Sequence, residues 1–218
     1  MVATQMPLWI KIVSIINNML TSLLMAPLAI AVHRMVLLGE TTERYNLNLS
    51  NSRFRRFVGF GIIIGLFWSV PNLILWFAQG SGTLLVVTSI VSLILQIVIA
   101  IVTLRRVILF PAIAVDALGA TWSNARNDTK GHSWRVLFVL FCTLLPMTIV
   151  TTPLFFTLMM PPRLGEAGRI LFSVISSAIG IVGLCALAAA ASHLFKAYAS
   201  RLTGARASVS ATITPPAQ

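Results

Sequence analysis

Five long apolar segments dominate the pattern of hydrophobic and polar positions along the chain. A helix needs about 20 apolar residues to cross the hydrocarbon core of a bilayer, and each segment is long enough. The runs are continuous, whereas the strands of a membrane barrel alternate over short segments. The sequence therefore predicts an all-α, polytopic transmembrane helical bundle within residues 1–200. Its expected spans are 12–32, 58–77, 84–104, 136–159 and 170–192.

The composition supports lipid as the solvent of this bundle. Of the 218 residues, 57% are hydrophobic and only 10% are charged. A soluble domain carries roughly 25% charged residues, and so few charges would not cover the surface of a water-soluble fold.

The segment between the third and fourth spans has a mixed pattern. Pro111 suits a helix start. Apolar residues mark one side of the segment and polar residues the other, with Ile113, Val115, Leu118 and Trp122 on the first and Asp116, Ser123 and Asn127 on the second. We expect an amphipathic helix over 111–127 that lies on the cytoplasmic membrane surface. The alternative is a re-entrant or irregular loop packed on the bundle. The Ala-, Ser-, Thr- and Pro-rich segment 201–218 is predicted to be a disordered tail.

The positive charges are distributed unevenly over the connecting segments. Thirteen of the sixteen Lys and Arg residues follow the first, third and fifth spans. Because cytoplasmic loops are enriched in basic residues, we expect the C-terminus in the cytoplasm and the N-terminus outside. The expected location is a bacterial inner membrane.

The net charge of +11 raises the question of a partner. Nucleic acid is rejected, because the basic residues sit at the ends of apolar segments as the topology rule requires. Anionic lipid headgroups at the cytoplasmic face are the expected partners. The candidate headgroup contacts are Arg53, Arg55, Arg56, Arg105 and Arg106.

Four amides lie within predicted spans: Asn18 and the three candidate positions Asn17, Asn72 and Gln96. Such groups often form hydrogen bonds between membrane helices. The functional alternative is a polar path that these three residues line. No acidic residue lies within a span, which disfavours a proton-coupled carrier.

Prolines and small residues also interrupt the spans. Pro27, Pro71, Pro146 and Pro153 each remove a helix hydrogen bond, which produces a kink or, alternatively, a broken helix that offers carbonyls to a substrate. The Gly61-xxx-Gly65 spacing predicts close approach of another helix.

The chain carries little that suggests catalysis. Cys142 and Cys185 lie in apolar segments, and His33, His132 and His193 show no metal-ligand spacing. Phosphate-binding loops and hydrolase motifs are also absent from the sequence. We therefore expect no enzyme activity, no cofactor and no metal.

A short part of the chain shows a family resemblance. Residues 110–116 read Phe-Pro-Ala-Ile-Ala-Val-Asp, and residues 130–135 read Lys-Gly-His-Ser-Trp-Arg before the fourth span. These roughly 30 residues resemble a loose group of bacterial multi-span proteins that includes the membrane domain of some glycerophosphodiester phosphodiesterases. The resemblance implies a helical bundle with a cytoplasmic surface helix. It departs from the group at Ala125 and Arg126, where a Ser-Trp pair usually stands, and in its five spans instead of six.

Two functional hypotheses follow from these patterns. The first is a non-enzymatic integral membrane protein that is associated with lipid or is an accessory subunit of a membrane complex with a protein partner. The second is a small solute transporter or a channel-type subunit, which the intramembrane amides and the prolines suggest.

Overall fold

The computed structural model describes residues 7–41, 45, 47–78, 82–159 and 165–203, apart from the side chains of residues 154–159, 166, 167 and 169. Within these residues the chain forms helices and no strands. The helices are α1 (Leu8–Leu38), α2 (Ser52–Phe77), α3 (Gly82–Leu104), α4 (Leu109–Ala114), α5 (Trp122–Asp128), α6 (Ser133–Met159) and α7 (Glu166–Tyr198).

The five long helices confirm the predicted all-α class and the five predicted spans. Each of α1, α2, α3, α6 and α7 is long and apolar enough to cross a membrane. Most of them extend beyond the apolar runs. For α2 the reason is an N-cap, because the Asn51 side chain accepts a hydrogen bond from the Arg53 backbone N–H at 3.0 Å. This cap places Arg53, Arg55 and Arg56 in the first turns of the helix.

The long helices pack in the order α3, α2, α1, α7 and α6, with a small contact between α6 and α3. They continue as helix through all four internal prolines. Pro71 is buried, and its carbonyl accepts a 3.1 Å hydrogen bond from the Ser92 hydroxyl of α3. This hydrogen bond joins the spans α2 and α3.

The hydrophobic core lies at one end of the bundle, around the short helix α4. This helix contacts α1, α2 and α7. Phe110 of α4 meets Phe57 and Phe60 of α2 with ring centroids 5.0 and 4.7 Å apart, and Phe60 meets Trp122 edge-on at 5.2 Å. We call this the basic end, because the candidate arginines also lie here; the other is the opposite end.

The single surface helix predicted over 111–127 is wrong, and the loop alternative is closer to the structure. Two short helices, α4 and α5, replace it. Ala112 and Ala114 of α4 are fully buried in the core instead of lying on a surface. A turn separates the helices, because Asp116 has a left-handed φ of 51° and the Thr121 side chain caps α5 by accepting from the Asn124 backbone N–H. Leu118 in this turn is 96% exposed.

The predicted disordered tail begins too early at residue 201. Leu202 is fully buried, and the Asp128 carboxylate accepts hydrogen bonds from the backbone N–H groups of Arg201 and Leu202 at 2.9 and 3.0 Å. Gly119 donates its N–H to the Leu202 carbonyl at 3.1 Å. These contacts hold 201–203 against the core, and the rest of the predicted tail lies outside the described residues.

Candidate lipid-contact site at the basic end

The five candidate headgroup arginines differ in what their side chains contact. Arg53 forms an ion pair with Asp116, whose side chain is 54% exposed. Its neighbour Arg34 pairs with Glu40 and also donates to the Ala114 carbonyl at 3.2 Å. These pairs fix the ends of α1 and α2 beside α4, and they neutralise part of the positive charge at this end.

Arg105 and Arg106 are half-buried and have partners within the chain. Arg105 donates from Nε to the Ser133 hydroxyl at 3.2 Å, and its carbonyl accepts from the Thr129 hydroxyl at 2.7 Å. The Arg106 guanidinium carbon lies 4.1 Å from the centre of the Trp122 ring, in cation–π geometry. Burial and the nearby charge of Arg126 lower the pKa of Arg106. An arginine pKa is high enough that Arg106 stays charged at neutral pH.

Arg55 and Arg56 are the two candidates that remain free for an external ligand. Both side chains are exposed, and neither pairs with any residue in the described part of the chain. Arg56 borders a groove of about 560 Å³. We call it the basic-end groove; its other lining residues are Gly59, Phe60, Ile63, Leu109, Ile113, Asp116, Ala117, Leu118, Ala120 and Trp122. Most of its lining residues are apolar or small, and Arg56 and Asp116 are its charged lining residues.

The three candidate intramembrane amides do not form a shared path. Asn72 donates to the carbonyl of Trp68 in its own helix at 3.1 Å. Asn17 is exposed and Gln96 half-buried, and neither side chain has a hydrogen bond to a described residue. Asn18, not Asn17, lines a groove together with Asn72. The sequence signal for this choice is the spacing of Lys11, Ser14, Asn18 and Ser22, which places them on one helix face.

The Gly61-xxx-Gly65 motif does not bring another helix close within this chain. A Cβ added at Gly61 or Gly65 would meet no atom within 4 Å. Both glycines line open grooves between α1 and α2. Close helix packing at this motif is therefore absent within the described chain, and approach by a helix of another chain stays a prediction.

The three histidines differ in their burial and in their contacts. His33 is buried, and its Nδ1 lies 2.8 Å from the Ser192 hydroxyl, which itself donates to the Ala188 carbonyl. His132 is exposed and stacks at 4.8 Å on Tyr198, and His193 is exposed. In the described ranges no three His, Cys, Asp or Glu residues are grouped so that they could hold a metal ion.

The chain is an integral membrane protein built as an all-α bundle, with five helices able to span the bilayer and a core at its basic end. Comparison of the chain with protein-family models, with curated proteins and with solved structures gave no match.

Proposed function

We propose that this is a non-catalytic membrane protein that binds anionic phospholipid at its basic end, on the cytoplasmic side of a bacterial inner membrane. One observation carries the proposal: Arg56, which pairs with no described residue, is exposed and lines a mainly apolar groove. A phospholipid presents the matching pair of features, a negative headgroup above an apolar chain.

The groove combines three features that suit a lipid at the membrane interface. Phe60 and Ile63 of α2 and Ile113 of α4 give apolar walls along which an acyl chain can lie. Trp122 also lines the groove, and aromatic residues favour the membrane–water interface. Asp116 is the one acidic group in the lining, and its pairing with Arg53 reduces its repulsion of an anionic headgroup.

Free arginines near the groove supply the attraction. A basic residue near a membrane surface contributes about 1 kcal/mol to binding of anionic lipid. Loss of both Arg55 and Arg56 should therefore weaken the binding of phosphatidylglycerol roughly thirtyfold. Binding of zwitterionic phosphatidylethanolamine should change little, because the arginines act through charge.

The test measures lipid retained by the full chain. The protein is purified in mild detergent, titrated with each lipid, and the bound fraction is read by native mass spectrometry. The variant Arg55→Gln/Arg56→Gln is compared with Lys130→Gln/Arg135→Gln, which removes the same charge from exposed positions outside the groove. Equal loss of phosphatidylglycerol in both variants would refute a site and indicate only general charge attraction.

A further inference from the structure

A second groove, made of hollows that share lining residues, lies along α1 and α2 from the opposite end of the bundle to the core. It consists of three hollows of about 350, 390 and 580 Å³. The first two share Asn18 and Asn72, and the second and third share Ser22 and Gly65. From Lys11 to Ala29 the groove follows α1 for about 27 Å, close to the thickness of the hydrocarbon core.

The lining of this groove changes from polar to apolar along its length. At the opposite end it carries Lys11, Ser14, Asn18, Ser69 and Asn72. Toward the core it is bounded mainly by apolar and small residues of α1, α2 and α7, and Phe110 of α4 is the one lining residue there from outside these spans. Such a gradient fits a molecule with a polar head at one end and an apolar chain at the other.

Nothing in the described chain fills the groove. A Cβ added at Gly61, Gly65 or Gly180 would meet no atom within 4 Å. The hydroxyls of Ser22 and Ser69 donate to carbonyls of their own helices, at 2.9 and 2.8 Å, so they do not join α1 to α2.

Two polar side chains of the groove have no partner among the described residues and are able to bind a ligand. Lys11 is a half-buried residue whose ammonium pairs with no described residue, and the side-chain amide of Asn18 also has no described partner. An ammonium favours an anionic headgroup, and an amide N–H donates to the ester carbonyls that follow the headgroup in a phospholipid. Exposing such groups to lipid chains alone is costly, and a polar ligand removes that cost.

We propose that this groove binds one anionic phospholipid from the leaflet at the opposite end, with its headgroup at Lys11 and one acyl chain in the cavity above Phe110. The site is separate from the basic-end groove, so a negative result here would not refute the proposed function. The charge complementarity at Lys11 favours a lipid over a transmembrane helix of a partner, since such a helix would need an acidic group at this depth.

The test uses photo-crosslinking of the full chain in nanodiscs that contain phosphatidylglycerol with a diazirine near the end of one acyl chain. We expect labelled peptides from the Met25–Ala29 region of α1 and from around Phe110. Gly61→Leu/Gly65→Leu fills the cavity from positions where an added Cβ meets no atom within 4 Å, and it should lower this labelling at least about tenfold. Leucine also favours helix over glycine, so the fold is not weakened by the change.

The matched control is Gly59→Leu on the same helix. Gly59 lines the basic-end groove, and a Cβ there also meets nothing within 4 Å. This variant should keep the labelling near Phe110. Lys11→Gln should lower labelling by phosphatidylglycerol roughly fivefold and leave labelling by the phosphatidylcholine analogue unchanged.

Two results would overturn the proposal. One is labelling near Phe110 that Gly61→Leu/Gly65→Leu does not lower. The other is no labelling, together with a second copy of the chain or another membrane protein that crosslinks to these glycines. If the double variant lowers the melting temperature, Gly180→Leu closes the same cavity from α7 and is used in its place.

Discussion

The buried carboxylate of Asp128 accepts a 3.0 Å hydrogen bond from the backbone N–H of Leu202, a residue 74 positions later in the chain. The same carboxylate accepts from the Arg201 backbone N–H at 2.9 Å. This contact joins the end of α5 to the turn that follows α7. Through Leu202, the contact holds this turn against the core around α4.

Replacing Asp128 with Ala should destabilise the protein. Asp128 is only 8% exposed, so its removal leaves two backbone amides without their acceptor, at a cost of about 3 kcal/mol. The free energy of unfolding in detergent measures this directly. Asp116→Asn is the control, because Asn tolerates the left-handed φ of this position and the change removes only the exposed ion pair with Arg53, which should cost less than about 1 kcal/mol. Equal losses in the two variants would contradict a structural role for the Asp128 contact.

Replacing Gly119 with Ala tests the same junction from the other side. A Cβ at Gly119 would lie 2.2 Å from the Arg201 carbonyl oxygen and 2.8 Å from that of Leu202. Both are backbone atoms, so the turn after α7 must move, and we expect a loss of about 2–3 kcal/mol. Gly59→Ala meets no atom and should leave the melting temperature unchanged or raised. A neutral Gly119→Ala variant would show that the turn is not held at this position.

The buried pair of His33 and Ser192 joins α1 to α7. Ser192→Ala should lower the free energy of unfolding by about 1–3 kcal/mol, because it leaves the His33 ring nitrogen buried without its partner. Ser177→Ala is the matched control on α7, since that exposed hydroxyl donates only to the Ser173 carbonyl of its own helix. Thermal unfolding of both variants compares them. A Ser192→Ala variant as stable as the control would mean that another group satisfies His33.

The spans were predictable from the sequence, and the basic end was only partly so. A run of apolar residues reports length and hydropathy directly, so α3 agrees closely with its predicted range. The short helices α4 and α5 depend instead on contacts of Asp128 and Gly119 with residue 202, and local periodicity carries no information about partners so far along the chain. The Gly61-xxx-Gly65 motif has the same limit. Its spacing shows that one helix face carries small residues, but it does not show whether a neighbouring helix covers that face.

The candidate site was likewise only partly predictable from the sequence. Arg53, Arg55 and Arg56 look equivalent in the sequence, since they lie within four positions. The structure distinguishes them because the turn of the helix points Arg53 toward Asp116 and leaves the other two exposed. Arg106 could not have been separated from Arg105 either, because its contact with Trp122 arises only when the chain folds back after α4.

Replacing Asn72 and Gln96 with Leu distinguishes a lipid-associated bundle from a solute pathway. Among the described residues, the Asn72 side chain bonds only to the Trp68 carbonyl of its own helix, and Gln96 has no side-chain hydrogen bond. The double variant should therefore change the free energy of unfolding by less than about 1 kcal/mol. In liposomes it should show the same solute permeability as the unmodified protein. Loss of a flux that the unmodified protein supports would favour the transporter hypothesis instead.

Cysteine labelling can check the predicted orientation of the bundle in the membrane. In a background of Cys142→Ala and Cys185→Ala, single cysteines are placed at Leu118 in the basic-end turn and at Phe77 at the opposite end of α2. Both positions are exposed, at 96% and 72%. A charged maleimide does not cross the bilayer, because moving its charge through the hydrocarbon core is too costly.

If the basic end faces the cytoplasm, as the distribution of positive charges predicts, Leu118→Cys should react only after the cells are permeabilised, and Phe77→Cys should react in intact cells. The reverse pattern would place the arginines outside, and the cytoplasmic lipid-binding role would then fail even if the groove itself binds anionic lipid in detergent.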